Sequence, residues 1–297
     1  MKAAICTRYG PPDVVQIQEI GMPSVQDNEV LIKLHATTVT PGDCVIRSSK
    51  MLLMRLFFGI LKPRKQILGS ELSGIIEEVG SNVTKFQKGD EVFAYRGMKL
   101  GAHAAYITLP EHGVLTIKPA RLTHQEAAAI AFGGTTALHF LRKGNVQAGM
   151  HILINGASGS VGSSAVQLAK HFGAEVTAVC GSSNVDWVKK LGADHVIDYT
   201  KEDFMKSGKR YDLIFDAVGK SSNPAGKAAL TANGKFISVK GGIARENLED
   251  LLFLKQLVED RAFQPVIDRS FPFEQIASAH AYVEQGHKKG NVVITFN

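Results

Sequence analysis

The hydrophobic residues of the first 118 positions fall in short segments that polar turn residues such as Lys88-Gly89-Asp90 separate. Six of these segments have the composition typical of strands: Ala3–Ile5, Val14–Glu19, Glu29–Thr38, Leu72–Val79, Glu91–Ala94 and Ala104–Thr108. A run of short strands of this kind predicts a β-rich, barrel-like domain.

The pattern changes near Pro119. Thr123 is a good N-cap for a helix over Gln125–Ala131, and a second helix is predicted over Thr135–Lys143. Predicted strands then alternate with helices. The strands are Ile152–Asn155, Glu175–Val179, His195–Asp198, Leu213–Asp216 and Phe236–Val239, and the helices include Val161–Phe172, Val185–Leu191 and Ala225–Leu230. This alternation predicts an α/β fold with a doubly wound parallel sheet.

The C-terminal segment returns to the β-rich part. Glu274–Glu284 has a helical pattern, and Val292–Phe296 reads as a final strand. We therefore predict a discontinuous first domain of residues 1–119 and 270–297, and a second domain of residues 120–269.

The predicted parallel sheet has five strands, whereas a doubly wound dinucleotide-binding domain usually has six. Only Lys240–Asn247 separate the fifth strand from a predicted helix over Leu248–Glu259, and this segment contains two glycines and several charged residues. Because it is a poor central strand, we expect Phe236–Val239 to form the edge of the sheet.

Composition narrows the function classes. The 297 residues are 44% hydrophobic and 21% charged, as in ordinary globular proteins, and the net charge of +6 suits a polyanionic ligand. The basic residues are scattered, so no obligate nucleic-acid partner is expected. The three cysteines form no CxxC pair, which favours a reducing, cytoplasmic location without a redox or zinc motif. The apolar run Met51–Leu61 is too short to cross a bilayer and contains Arg55, so no transmembrane segment is predicted.

A glycine-rich turn carries the sharpest functional signal. Gly156-Ala157-Ser158-Gly159-Ser160-Val161-Gly162 follows an apolar strand and opens an amphipathic helix. Glycines spaced in this way allow a tight turn, close approach of a pyrophosphate and close helix–strand packing, and the helix N-terminus favours phosphate. We predict a dinucleotide site here, and we expect that valine at Gly159 or Gly162 abolishes cofactor binding while the chain still folds.

The end of the second strand indicates which dinucleotide binds. NAD sites usually place an acid about 20 residues after the glycines to bind the ribose hydroxyls, but Val179–Asn184 contains none. The small side chains of Ser182 and Ser183 leave room for a 2′-phosphate, which favours NADPH. A degenerate site that simply lacks the acid is the alternative.

Four motifs occur in order along the chain: Gly69–Gly80, Lys88-Gly89-Asp90-Glu91-Val92-Phe93, Gly156–Gly162 and Leu191-Gly192-Ala193-Asp194. They resemble those of medium-chain dehydrogenases/reductases, most closely the zinc-independent quinone oxidoreductase branch. The resemblance covers nearly the whole chain. It implies a Rossmann-type sheet plus a β-rich GroES-like barrel domain that binds substrate. It also implies hydride transfer from NADPH to a small, lipophilic, electron-poor acceptor, namely a quinone or an α,β-unsaturated carbonyl.

The resemblance also implies roles for individual residues. Ser158, Ser160 and Val161 would contact the pyrophosphate, Tyr199 the 2′-phosphate and Thr136 the nicotinamide. Gly241 and the basic segment His287-Lys288-Lys289 complete the implied cofactor set. Each has a structural alternative: Tyr199 as a surface residue, Lys288 and Lys289 as a solvated turn, and Thr136 as a helix residue that bonds back to the preceding turn.

The implied reaction does not require a strong general acid, because water or a weak acid can deliver the proton. By alignment, Asp43 and Arg47 lie where the substrate should bind and are weak catalytic candidates, although Asp43 also fits an internal structural role.

The resemblance excludes two features of other branches. Zinc-containing relatives have a histidine at the position of Ser70 and a cysteine in the segment aligned with Thr38–Asp43, and this chain has neither. No bound metal is expected. Many relatives also pair a further edge strand across a dimer. Because that strand is missing here, we expect a monomer or a dimer that uses another surface. The alternative is that Gly242–Glu246 forms a short sixth strand and the usual dimer is kept.

Alternatives to an enzyme remain at this point. The fold could serve as a non-catalytic NADPH-binding sensor, a nucleic-acid-binding protein or an assembly protein. The run Met51–Leu61 could be a buried helix, a flap over a lipophilic substrate or a membrane contact.

Overall fold

The computed structural model describes residues 1–49, 55–56, 58–206, 208–219 and 228–296. The chain forms two compact units. Unit 1 contains Met1–Ala131, Glu246–Lys255 and Ile267–Asn297, and unit 2 contains Phe132–Arg245 and Gln256–Val266. Within the described residues, no helix is both long and apolar enough to cross a membrane.

The regular elements are numbered in chain order. Strands β1 to β14 span Lys2–Cys6, Val15–Glu19, Glu29–Val39, Glu71–Val79, Glu91–Tyr95, Tyr106–Pro110, Leu115–Ile117, His151–Asn155, Glu175–Cys180, His195–Asp198, Tyr211–Asp216, Leu230–Ser238, Ile267–Pro272 and Asn291–Thr295. Helices α1 to α7 span Pro41–Ser48, His124–Ala128, Ala131–Gly144, Ser160–His171, Val185–Lys190, Leu248–Glu259 and Ile276–Glu284.

Unit 1 is built around the long strand β3. A seven-stranded sheet has the order β13-β14-β3-β4-β5-β7, with β6 also paired to β3, while β1 and β2 form a separate antiparallel pair. The C-terminal strand β14 is antiparallel to β3, with Val292 opposite Val39. Alternate residues of β3, including Ile32 and Leu34, are fully buried in one apolar cluster. The period of two therefore places one face of β3 in a core.

Unit 2 contains a parallel sheet with the order β10-β9-β8-β11-β12. Its central strand β8 contributes Ile152, Leu153 and Ile154, all with 0% exposure. Such a continuous apolar run is expected where helices cover both faces of a parallel sheet. All five predicted strands are present. The described segment from Val239 to Asn247 contains a 3-10 turn and no sixth strand.

Some predicted elements differ from the structure. The predicted helix Ala225–Leu230 is wrong at its end, because Leu230 begins β12 and pairs with Tyr211. Its residues 225–227 lie outside the described residues, as do residues 51–54 and 57 of the apolar run. Within that run, Ile60 and Leu61 are 67% and 88% exposed. Helix α1 was not predicted from the hydrophobic pattern, and neither were β7 and β13.

Candidate functional site

The glycine-rich turn has the predicted strand–turn–helix setting. It connects β8 to the twelve-residue helix α4, which begins at Ser160 with Gly159 as its N-cap. Gly156 and Ala157 donate their amides to the carbonyl of Val179, with N···O distances of 3.1 and 3.0 Å. The turn is thus tied to β9, while the first amides of an α-helix lack partners within the helix. Together with the helix dipole they favour an anionic group at this place.

The three glycines have different tasks. Gly156 has a φ of +79°, which side chains rarely tolerate. A Cβ on Gly162 would lie 2.1 Å from the carbonyl oxygen of Gly156, so Gly162 allows the helix to pack against its own turn. A Cβ on Gly159 would meet that oxygen at an ordinary 3.6 Å. This geometry does not support the expectation that Gly162→Val leaves folding intact, whereas Gly159 is compatible with a side chain.

The residues predicted to contact the pyrophosphate lie on this turn and the first turn of α4. Ser158 is half-buried, and Ser160 and Val161 are 5% and 8% exposed. Their placement beside the helix N-terminus is compatible with the predicted contacts, which stay predictions.

The carboxyl ends of β9 and β10 bring the predicted Ser182 and Tyr199 together. Tyr199 donates its amide to Cys180 at 3.1 Å, and a Cβ on Gly181 would lie 3.2 Å from the Tyr199 hydroxyl oxygen. Tyr199 is 63% exposed and Ser183 is exposed next to Ser182. This end of the sheet is where an adenosine ribose would lie if the glycine turn holds a pyrophosphate.

An acid that sequence reasoning missed also lies here. Asp198, the last residue of β10, accepts a hydrogen bond from Ser182 Oγ at 2.6 Å and from Thr200 Oγ1 at 2.7 Å. These hydrogen bonds lower the pKa of the Asp198 carboxyl to about 2. Asp198 could have been found from the sequence because it ends a predicted strand, and the carboxyl ends of neighbouring parallel strands meet at one edge of the sheet.

Two other predicted cofactor residues lie in unit 2. Thr136 is a buried residue of α3, with 8% exposure. Gly241 ends an exposed 3-10 turn after β12, and its carbonyl accepts a hydrogen bond from Lys143 at 3.3 Å. Their contacts with a cofactor stay predictions.

The basic segment near the C-terminus belongs to unit 1. His287 is exposed, whereas the Lys288 ammonium donates to the carbonyl of Gly290, and burial lowers its pKa to about 8. The amide of Lys289 donates to Asp268 at 3.1 Å. The segment is therefore held against unit 1, and its predicted contact with a cofactor stays a prediction.

The two weak catalytic candidates have structural partners. Asp43 is 2% exposed; one carboxylate oxygen accepts from the amide of Thr40 at 2.8 Å, and the other accepts from the amide of Gly69 at 2.9 Å. It forms a capping box that starts α1. The fully buried Arg47 binds Glu284 at 2.7 Å. The contacts of Asp43 support the alternative of an internal structural role, and the ion pair of Arg47 likewise links two elements of unit 1.

The signature segment of unit 1 does not fit a zinc ion. The buried Glu71 carboxylate accepts a hydrogen bond from the Thr38 hydroxyl, and Ser70 precedes it. Burial raises the pKa of the Cys44 thiol to about 12, which disfavours the thiolate that zinc requires. Within the described residues, no three His, Cys, Asp or Glu side chains are grouped so that they could hold a metal.

Comparison with known proteins identifies the family. A model described as an alcohol dehydrogenase GroES-like domain matches residues 26–119, and one described as a zinc-binding dehydrogenase matches residues 160–265. Over 99% of its length the chain is 33% identical to a 2-methylene-furan-3-one reductase of Solanum lycopersicum, and the match covers 79% of that protein. The chain belongs to the medium-chain dehydrogenase/reductase family.

Further similarities place it in the quinone oxidoreductase-like branch, so it is an oxidoreductase with the predicted fold. It is 32% identical to an NADPH-dependent alkenal/one oxidoreductase of Arabidopsis thaliana, over 99% of this chain and 79% of that protein. A solved quinone oxidoreductase from Coxiella burnetii superimposes with a TM-score of 0.86 at 27% identity, covering 100% of this chain and 99% of the other.

Proposed function

We propose that this medium-chain dehydrogenase/reductase is an NADPH-dependent, zinc-independent reductase of quinones or α,β-unsaturated carbonyl compounds. The observation that carries the proposal is the turn from Gly156 to Gly162, which leads into the N-terminus of α4, a place that favours an anionic group. The names of the tomato and Arabidopsis relatives support reduction of a conjugated carbonyl compound.

The residues of unit 2 fit such a cofactor. Gly159 has space for a close ligand, because its own Cβ would meet no atom nearer than 3.6 Å. The hydroxyls of Ser183 and Tyr199 are candidates for contact with a 2′-phosphate at the other end of the site. When bound, NADPH supplies the hydride, and the protein supplies position and orientation.

The residues of unit 1 offer no strong general acid among the predicted candidates. Asp43 and Arg47 are engaged in hydrogen bonds that hold α1 in place. We therefore propose that water delivers the proton that follows the hydride.

The test is oxidation of NADPH, followed at the absorbance of the reduced nicotinamide, across a panel of quinones, enals and enones, with saturated aldehydes as the control. We expect turnover only with the conjugated acceptors. Tight NADPH binding without turnover on any acceptor would contradict the proposal and favour a non-catalytic sensor. Elemental analysis of the same preparation is expected to find no stoichiometric zinc.

We propose further that the protein is a monomer, or a dimer that uses another surface than the edge of its parallel sheet. The support is β12, which pairs with β11 and is followed by the strand-free segment from Val239 to Asn247. Light scattering distinguishes the monomer, with a mass near 32.1 kDa, from a dimer that uses another surface. A twelve-stranded sheet continuous between two subunits would contradict the proposal. A cytoplasmic location stays a prediction from the cysteine content.

A further inference from the structure

The edge of the sheet formed by β9 and β10 carries a carboxylate directly beside a residue predicted to bind the cofactor. Asp198 lies opposite Cys180 in the parallel register, and Ser182 follows two residues after Cys180. The distance from Ser182 Oγ to Asp198 Oδ2 is 2.6 Å. The acid that is missing from the end of β9 is therefore supplied by the neighbouring strand.

The hydrogen bonds of this cluster decide what Ser182 can offer to a ligand. Thr200 bonds Asp198 through both its hydroxyl, at 2.7 Å, and its amide, at 3.0 Å. A serine hydroxyl has one hydrogen, and the charge-assisted bond to Asp198 uses it. Ser182 Oγ also lies 2.9 Å from Thr200 Oγ1, so it has lone pairs but no hydrogen left to offer a ligand. A ribose 2′-hydroxyl can donate to them, whereas a phosphate oxygen that carries no proton cannot.

The negative charge of Asp198 also disfavours a 2′-phosphate. The Asp198 side chain is 9% exposed, and its low pKa keeps it ionised at neutral pH. A phosphate oxygen in contact with Ser182 Oγ would lie about 5 Å from this carboxylate. Lys201 lies 3.4 Å from Asp198, but its side chain is 75% exposed, so solvent weakens its compensation. A 2′-phosphate at this place is therefore repelled by the Asp198 carboxylate, whose negative charge Lys201 offsets only in part.

We propose that Asp198 is a specificity-determining residue that limits the preference of this reductase for NADPH over NADH, because it holds Ser182 as an acceptor and repels a 2′-phosphate. The proposal rests on the proposed dinucleotide site. It makes the chain a reductase that also accepts NADH, although the end of β9 lacks an acid. The selectivity is then set by two neighbouring strands and not by the segment after β9 alone.

The experiment measures the ratio of the Kd of NADH to the Kd of NADPH for the full chain. The only tryptophan, Trp187, is a suitable fluorescent probe, because it lies in α5 and donates to Asn184 near Ser182. At about 5 Å, repulsion between a carboxylate and a phosphate in water-like surroundings amounts to about a tenfold change in affinity. We expect Asp198→Asn to raise the ratio about tenfold.

Asp194→Asn is the matched control. It removes the same charge from the segment just before β10, about 13 Å away at the opposite edge of the sheet, where Asp194 binds Lys170 at 2.8 Å. This control is expected to leave the ratio unchanged. Asp198→Ser is the second variant, because serine keeps an acceptor for Ser182 without the charge, and circular dichroism reports whether each variant folds.

Adenosine 2′,5′-bisphosphate and 5′-AMP differ by the 2′-phosphate and contain no nicotinamide. The ratio of the Kd of 5′-AMP to the Kd of adenosine 2′,5′-bisphosphate is expected to rise by the same factor in Asp198→Asn. An unchanged ratio in the folded Asp198 variants, or an equal loss of both cofactors, would overturn the proposal. A wild-type protein that binds neither dinucleotide would instead overturn the proposed function.

Discussion

Two glycines at the start of α4 are expected to have different roles, Gly162 in folding and Gly159 in cofactor binding. Replacing each one by alanine, which adds a single methyl group, tests this difference. Gly162 is packed so closely that a Cβ would lie 2.1 Å from the carbonyl oxygen of Gly156 and 2.8 Å from Cα of Ala157. Both neighbours are backbone atoms, which cannot rotate away. Gly159 has φ −81° and ψ 175°, which any residue adopts, and its nearest neighbour would be 3.6 Å from the methyl group.

These distances translate into different free energies of unfolding. Overpacking a tight site costs about 1–3 kcal/mol, so Gly162→Ala is expected to lower the free energy of unfolding by about that amount. Gly159→Ala reduces the entropy of the unfolded chain but introduces a poorer N-cap, and these effects largely offset one another. Its stability is expected to change by less than about 0.5 kcal/mol. The methyl group on Gly159 would instead occupy space that a pyrophosphate needs, so its NADPH affinity is expected to fall about tenfold or more.

Urea denaturation followed by circular dichroism gives the stability of both variants, and Trp187 fluorescence gives the Kd of NADPH. The expected result is a stable Gly159→Ala that binds poorly and an unstable Gly162→Ala. A Gly162→Ala variant as stable as wild type would refute the packing argument. Wild-type NADPH affinity in Gly159→Ala would refute the assignment of the phosphate cradle.

Two further predictions concern unit 1. Burial and the ring of His35, stacked at a centroid distance of 4.6 Å, lower the pKa of His124 to about 4. The unfolded chain therefore binds more protons between pH 6.5 and 4, so His124 lowers the free energy of unfolding as the pH falls through that range. His124→Gln should show a smaller loss of Tm between pH 7.5 and 4.5, and an identical loss would contradict the assignment. Asp43→Asn should lower the free energy of unfolding by about 2–3 kcal/mol, because an amide cannot accept the hydrogen bonds that Thr40 and Gly69 donate to its two sides. The Kd of NADPH should not change, and a loss of turnover without a loss of stability would restore Asp43 as a catalytic candidate.

The elements with strong local signals could be predicted from the sequence. The apolar strand β8, the glycine turn and α4 were expected because a buried strand, a turn that needs glycine and an amphipathic helix each have a local pattern. Helix α1 was missed, although the pairing of Thr40 with Asp43 three positions later is a local signal for its capping box. The end of the predicted helix at Leu230 was wrong because pairing with β11 overrides local helix propensity.

The candidate site also has a part that could be predicted from the sequence and a part that could not. The sequence by itself predicted a phosphate-binding turn after β8, since the glycines and the helix that form it are contiguous. It also predicted Ser182, and through the family resemblance Tyr199, as cofactor-binding residues. Only the tertiary structure decided that Asp198 bonds Ser182, because the two residues are sixteen positions apart and meet through the parallel register of β9 and β10. Register depends on how whole strands pack against helices, so the charge next to a ligand is a property of the assembled sheet and not of any one segment.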